Sequence, residues 1–252
     1  MPRGPGTWRD LPEAGERRGR ASRSFQATPP RERNAMDALT RAQALFTLQV
    51  DAYVAAGYPD LADMTEARFR GHLEPLRSGL DRAVADGLVL ATDPKHAPFA
   101  VAISSRLVER GARVSPLRVP GRDTPGVIDR GHRDDLDAYE DLPELGVPDA
   151  DAYLLLDVDR GDTFREIAPD DALIALAAGS RSPLTLDEGL SLATVHPAVF
   201  EVDAGFLFAG SRNGLRVPAL WVTAGTPMLG WGGGATPETW LGVASAASRV
   251  AA

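Results

Sequence analysis

Residues 220–241 read LWVTAGTPMLGWGGGATPETWL, and the interpretation of the rest of the chain starts from this stretch. Its first four residues form an apolar run that is typical of a β-strand. Four glycines then lie within residues 230–234, where they allow the backbone to approach another strand or a ligand closely. Thr236 and Pro237 have the features of a helix N-terminus, an N-cap hydroxyl followed by a proline. The stretch therefore predicts a strand, a glycine-rich loop and a helix.

The glycine-rich loop has two interpretations. Its N–H groups and the positive end of the helix dipole would hold a phosphate or carboxylate, in a pocket lined by tryptophans. Alternatively, the loop is a tight turn and the tryptophans are core residues. The loop has neither the lysine of a Walker A motif nor GxGxxG spacing. The predicted ligand-binding residues are Trp221, Gly230, Trp231, Gly232, Gly233, Gly234, Thr236, Thr239, Trp240 and Arg212.

Arg212 is included because it adjoins the Asn213-Gly214 pair, which is typical of a type I′ hairpin turn. It would act as an anion clamp if that turn folds back over the glycine-rich loop. The predicted partner is accordingly a small polar or anionic ligand.

The composition is that of an ordinary globular protein, with 44% hydrophobic and 25% charged residues among 252. The absence of cysteine excludes disulfides and thiolate chemistry. No apolar run approaches the ~18 residues that span a bilayer, so we expect a soluble, cytoplasmic protein without membrane contact.

The net charge of −8 is unevenly distributed along the chain. Residues 1–35 contain eight arginines and four acids, a balance of +4, which leaves −12 for residues 36–252. Because phosphate binding depends on clustered cations, an acidic body is a poor partner for nucleic acid. The first 35 residues also contain five prolines and no apolar periodicity, which predicts a disordered tail. That tail is either a basic arm that binds an acidic partner or an unstructured extension.

Residues 36–252 are predicted to form a single α+β (mixed α/β) domain. An N-terminal helical layer over residues 36–90 packs on a mixed sheet of about five strands within residues 96–252, which ends in a C-terminal β-hairpin and helix. The predicted helices are 37–56, one opening at Asp63 to Glu66, one from Glu74 to Ala85, 170–178, 186–194 and 237–248. The predicted strands are 99–103, 113–119, 125–128, 152–158 and the hairpin 206–222, and residues 129–150 are predicted to be a surface segment with one short helix.

The chain contains no motif that assigns a reaction or a cofactor. Residues 157–162, Asp-Val-Asp-Arg-Gly-Asp, superficially resemble a calcium loop but lack the glycine and glutamate of the EF-hand pattern. They could hold Mg²⁺ at a strand end, but a polar turn neutralised by Arg160 and Arg165 is favoured. The four histidines are scattered and there is no GxSxG elbow, so no metal site and no catalytic residue is predicted.

Several short motifs between residues 40 and 250 resemble an uncharacterised family of domain-of-unknown-function proteins from high-GC bacteria. The matching residues are Ala56-Gly57-Tyr58-Pro59, Tyr153 to Gly161, Pro183 to Gly189, Val217 to Trp221, Leu229-Gly230-Trp231, Thr239 to Gly242 and Ala244-Ser245-Ala246. The resemblance implies no activity. Two functional hypotheses therefore stay open: a protein that binds a small ligand at the glycine-rich loop, and a non-enzymatic interaction or structural protein without a ligand pocket.

Overall fold

A computed structural model describes residues 30–129 and 136–252 of the chain. The helices are α1 Pro30–Ala55, α2 Tyr58–Leu61, α3 Glu66–Leu73, α4 Leu76–Ala85, α5 Pro169–Ala178 and α6 Leu186–Val195. The strands are β1 His96–Ile103, β2 Val127–Ile128, β3 Glu140–Asp141, β4 Ala152–Asp159, β5 Ser182–Pro183, β6 Gly205–Leu207, β7 Ser211–Arg212, β8 Arg216–Thr223, β9 Thr226–Gly233, β10 Leu241–Val243 and β11 Ser245–Val250. The α+β class is confirmed, with helices first and most strands later in the chain.

The strands form two main sheets rather than one. The first has four strands in the order β1-β4-β11-β5, and the second has five in the order β10-β6-β8-β9-β2. Strands β3 and β7 form a separate pair. Between the two sheets lies α6, eight of whose ten residues are buried. A helix buried on most sides needs either apolar side chains, as at Leu186, Leu190 and Leu192, or polar ones with bonded partners, as at Asp187, Glu188 and Ser191.

The N-terminal helices cover the outer face of the four-stranded sheet, as the predicted helical layer required. Phe46, Tyr53 and Phe69 form one buried cluster with Phe99 and Val101 of β1. The hydroxyl of Tyr53 donates to the carbonyl of Val101 at 2.6 Å. This buried hydrogen bond fixes α1 on the strand while satisfying a polar group that would otherwise be costly to bury.

The first helix begins earlier than predicted. It starts at Pro30 instead of residue 37, and so includes residues 30–35 of the predicted tail. The remainder of that prediction, residues 1–29, lies outside the described residues. Gly57 ends the helical run with φ of 80°, and the Thr65 hydroxyl accepts from the amide of Arg68 to begin α3. Both agree with the predicted stop and start signals.

The glycine-rich segment is a strand and not a loop. Residues 226–233 form β9, which pairs with β8 through an Ala224-Gly225 turn with positive φ at both residues. The turn before β8 is centred on Gly214 and Leu215, with the Arg216 amide donating to the Asn213 carbonyl. Only Gly214 has positive φ there, as in a type II′ turn, so the predicted type I′ turn at Asn213-Gly214 is wrong.

The predicted C-terminal helix is also wrong, because residues 241–250 form β10 and β11. Small residues that would suit a helix instead let two backbones approach each other. A Cβ on Gly242 would lie 2.5 Å from the carbonyl oxygen of Gly161, so only glycine allows β10 to reach its place beside β6. Tertiary contacts have therefore overridden the local helix propensity.

Residues 111–150 depart furthest from the prediction. The expected strand 113–119 is absent: a 3₁₀ turn Gly111–Arg113 places the Arg113 side chain in the interior. The expected surface segment 129–150 contains 3₁₀ turns Leu136–Ala138 and Pro143–Leu145 and strand β3, while residues 130–135 lie outside the described part. The short edge strand expected near residue 128 is confirmed as β2. Across the described ranges, no helix combines the length and apolarity that a bilayer crossing needs.

Candidate functional site

The predicted glycine and tryptophan residues are separated into two groups by the strand alternation of β9. Trp221, Gly230 and Trp240 come together: the Trp221 ring lies over Gly230, where an added Cβ would be closer than 3.0 Å. The rings of Trp221 and Trp240 meet edge to face, with centroids 5.8 Å apart. The space over Gly230 is thus occupied by an indole of the protein, the packing arrangement that the sequence left as the alternative.

Trp231 belongs to the other group. Its side chain is 41% exposed, and the Arg216 guanidinium lies 5.1 Å from its ring centroid. Gly233 adjoins Thr236, and Thr239 is exposed after the end of β9. Gly232 is on the same face as Gly230 and packs under Leu207. The ligand-binding role assigned to residues 230–239 stays a prediction.

Arg212 does fold back onto the glycines, as the predicted anion clamp required. A Cβ on Gly234 would lie 2.7 Å from its Nη1 atom. However, Arg212 is paired with Asp170 at 2.9 Å, and the amide of Asp170 donates to the Gly234 carbonyl. An anion at this place would have to displace a carboxylate that the fold already holds there.

The acidic turn after β4 is neutralised by cations, as the favoured interpretation predicted. Asp162 accepts from Arg160 at 2.6 Å and 2.7 Å, and Arg165 and Lys95 lie 3.1 Å and 2.6 Å from it. Arg160 is fully buried and also pairs with Glu201. Within the described residues, no group of three or more His, Asp or Glu side chains could hold a metal ion.

This cluster predicts a contribution to acid stability. Burial opposes ionisation, but the bonds from Arg160 and Lys95 prevail and lower the pKa of Asp162 from 3.8 to about 2. A lowered folded-state pKa contributes stability that is complete above pH 4 and is lost as pH falls towards 2, in total about 2 kcal/mol. We expect urea unfolding of Asp162→Asn to lack this loss between pH 4 and 2. Parallel curves for the variant and the wild type would contradict the prediction.

Asp157 marks an irregularity in the middle of the four-stranded sheet. It has φ of 52° within β4, in the left-handed region that few residues other than glycine adopt. Its carboxylate accepts from His96 at 2.6 Å and from Arg181 at 2.5 Å, and Arg181 also donates to the Asp157 carbonyl. Strained residues held by several partners are frequent at functional sites.

The outer edge of β11 next to this irregularity is open. Strand β5 pairs only with Ser245 and Ala246, and then turns away, because the Arg181 amide is bonded to the Leu176 carbonyl at the end of α5. Among the strands that the structure describes, none pairs with the outer edge of residues 247–250. That half of β11 therefore has main-chain groups available for a further strand.

A cleft lies on each face of the sheet at this edge, and both clefts include Ala247 and Ser248. The first, about 480 Å³, is bounded by Leu142 and Leu145, by Leu173 and Ala177 of α5, and by Arg249. The second, about 540 Å³, lies on the face covered by the helical layer. It is lined by Gly79, Ala83, Leu88, Leu156, Asp157 and Val250, among others. We call the edge 247–250 with its two clefts the β11 groove.

A buried ionic network supports the groove from inside. Glu188, fully buried, accepts from both Nε and Nη2 of Arg249, at 2.5 Å and 2.8 Å. It also accepts from the Tyr153 hydroxyl and closes the capping box with Thr185. The sequence correctly predicted that Asp187 and Glu188 lie in the first turn of α6. It did not predict that both carboxylates pair with buried arginines. An acidic pair in a helix that is otherwise rich in apolar residues is the sequence feature that could have indicated buried cationic partners.

Comparisons with known proteins identify a family for this chain but do not assign it an activity. A model of a family of unknown function (DUF5701) matches residues 52–252. Searches of curated proteins and of solved structures gave no match.

Proposed function

The chain belongs to this family of unknown function, and we propose from its geometry that it recognises an extended segment of a partner protein by strand addition at the β11 groove. The observation that carries the proposal is the edge of residues 247–250, with which no described strand pairs and which lies between clefts on both faces of the sheet. In strand addition, main-chain hydrogen bonds provide affinity and side-chain pockets provide specificity. Of the two hypotheses from the sequence, this is the interaction protein, and a cytosolic location is part of the proposal.

The edge lacks the usual protection against such pairing. Exposed strand edges are commonly blocked by lysine, proline or a projecting charge. Residues 247–250 are Ala-Ser-Arg-Val, and the one charged side chain, Arg249, turns inward to Glu188. Ala247 and Ser248 are exposed and small, so neither side chain would obstruct an added strand.

The two clefts define the shape of the segment. Successive side chains of a strand point to opposite faces, so an added strand would place alternate residues in the two clefts. Leu142, Leu145 and Leu173 form the apolar part of one cleft, whose remaining lining is polar, and Leu88, Leu156 and Val250 make the other mainly apolar. The preferred segment therefore carries aliphatic residues on both of its faces.

Charges at the rim refine the partner chemistry. Glu144 is exposed at the mouth of the first cleft, whereas Arg181 and Arg249 in the same cleft are already paired with Asp157 and Glu188. A basic residue in the segment would gain from Glu144, while an acidic one would find both guanidinium groups engaged. We expect an aliphatic segment with a lysine or arginine on the side that faces α5.

A pair of alanines in α5 provides the test. Ala177 lines the first cleft and Ala178 does not, and both are exposed in the same helix. The probe is a phage-displayed library of random eight-residue peptides, selected on the full chain. We expect selected peptides to carry aliphatic residues at successive positions, so that both faces of the strand are aliphatic, and to slow amide hydrogen exchange at residues 247–250. Ala177→Trp should weaken binding by about tenfold or more and Ala178→Trp by less than about twofold.

Other outcomes would overturn the proposal. These are the absence of an enriched peptide, equal binding by the two tryptophan variants, and exchange protection confined to another surface. Amides 247–250 already protected in a dimer at micromolar concentration would show that the occupant is a second copy of the chain. The same protection in a monomer, lost on removal of residues 1–29, would assign the groove to that segment.

A further inference from the structure

A third cavity, about 290 Å³ and mainly polar, shares no lining residue with the β11 groove. It is formed by the loop after β1, the segment that contains β3, and the first turn of α6. Its polar lining includes Ser105, Arg106, Arg110, Asp141, Tyr153 and Asp187. None of these residues lines the β11 groove, so the cavity requires its own explanation.

Arg110 projects into this cavity with one nitrogen incompletely engaged. The residue is only 8% exposed. Its Nε donates to Asp187 at 3.1 Å, and its Nη1 donates to the carbonyls of Leu136 and Tyr139. Its Nη2 lies 3.8 Å from the Asp141 carboxylate, which is too far for a direct hydrogen bond. An oxygen atom placed between these two groups could bond to both.

The buried charges around the cavity balance only if Asp141 is ionised. Arg110 and Arg113 share the single carboxylate of Asp187, whereas Arg249 is matched by Glu188. Among the described residues of this network, Asp141 supplies the remaining negative charge. A buried guanidinium without a counter-charge is costly, so loss of the Asp141 charge would leave the cavity in need of an anion.

The surroundings of Asp141 favour that loss. Burial raises its pKa, and the nearby carboxylates of Asp187 and Glu188 act in the same direction. The Ser211 hydroxyl, which donates to it at 2.5 Å, and Arg110 oppose the rise without cancelling it. Arg249 adds a more distant positive charge, and at the rim Arg106 is paired with Asp149.

We propose that this cavity binds a small oxyanion of the carboxylate or phosphate class beside Arg110 Nη2, with uptake of one proton by Asp141. The protonated carboxyl then donates a hydrogen bond to the anion, and the hydroxyl of Ser105, which lines the cavity, is a third donor. Charge-assisted hydrogen bonds of this kind are about twice as strong as neutral ones. The proton comes from solvent, so the buried charge is the same before and after binding.

Formate is a suitable probe because it is a monoanion throughout the range from pH 5 to pH 8. We expect calorimetric titration of the full chain to show affinity that falls by up to about tenfold per pH unit above the pKa of Asp141. Asp141→Asn keeps the side-chain shape and removes the charge. This variant should bind formate with little pH dependence, whereas Asp149→Asn at the rim should keep the wild-type profile.

A measurement on the wild type alone keeps the proposal testable if Asp141→Asn does not fold. Titrations above the pKa of Asp141, in two buffers with different ionisation enthalpies, should show that protons are taken up when formate binds. Binding without proton uptake would overturn the coupling. Absence of binding at any pH in the wild type and in Asp141→Asn would overturn the site itself.

Discussion

Gly161→Ala is expected to lower the free energy of unfolding by more than about 4 kcal/mol, at the extreme end of single substitutions. Gly161 has φ of 84°, and an added Cβ would lie closer than 3.0 Å to the carbonyl oxygen of Val243. The obstructing atoms are backbone of β10, which cannot rotate aside as a side chain could. The substitution must therefore displace β10 from its contact with the turn after β4. Urea unfolding followed by circular dichroism measures the loss.

Gly121→Ala is the matched control. Gly121 has a similar φ of 75°, but no atom of the described residues lies within 4 Å of the position of its Cβ. Alanine there encounters only the left-handed backbone conformation, which costs about 1–2 kcal/mol. Losses of equal size for the two variants would mean that the close approach of β10 to Gly161 is not a constraint on the fold.

Glu188→Ala is expected to cost about 3–5 kcal/mol, because it leaves a buried arginine without its partner. The side chain of Arg249 is only 5% exposed and has two bonds to Glu188. The substitution also removes the capping-box bond to the Thr185 amide. Chemical denaturation at neutral pH measures the difference in unfolding free energy.

Two further variants separate the buried charge from general damage. Adding Arg249→Met to Glu188→Ala removes the unpaired guanidinium, so the double variant should be more stable than the single variant. Asp51→Ala breaks an ion pair with Arg70 that is largely in water, and should cost less than about 1 kcal/mol. A double variant that is less stable than Glu188→Ala would contradict the assigned role of the ion pair.

The elements that the sequence predicted correctly carry strong local signals. Gly57 ended α1, Thr65 began α3, and Thr185 with Glu188 formed the expected capping box. The apolar run from Ala152 became the central strand β4, with its length nearly as predicted. These patterns are decided by bonds within a few residues, so a single sequence is sufficient to predict them.

The predictions from sequence were wrong where contacts between residues far apart in the chain determine the local structure. The glycines of β9 indicate close approach, but they do not reveal that the approaching group is the ring of Trp221. Residues 244–248 have the composition of a helix, but β11 pairs with β4 and is therefore extended. The preceding strand, β10, is held in place by its contact with Gly161. The β11 groove depends on where β5 stops pairing, and the polar cavity depends on Arg110 and Asp141, which are 31 positions apart. Neither site has a motif in the sequence.

The position of α6 has a consequence for how the molecule comes apart. The helix lies between the two sheets, and its buried apolar side chains belong to an apolar cluster to which both sheets contribute. If either sheet separated from the helix, the apolar side chains of the shared cluster would be exposed to water and the helix would lose the packing that stabilises it. We therefore expect thermal unfolding in a single cooperative transition, with no partly folded intermediate in which one sheet remains after the other has unfolded.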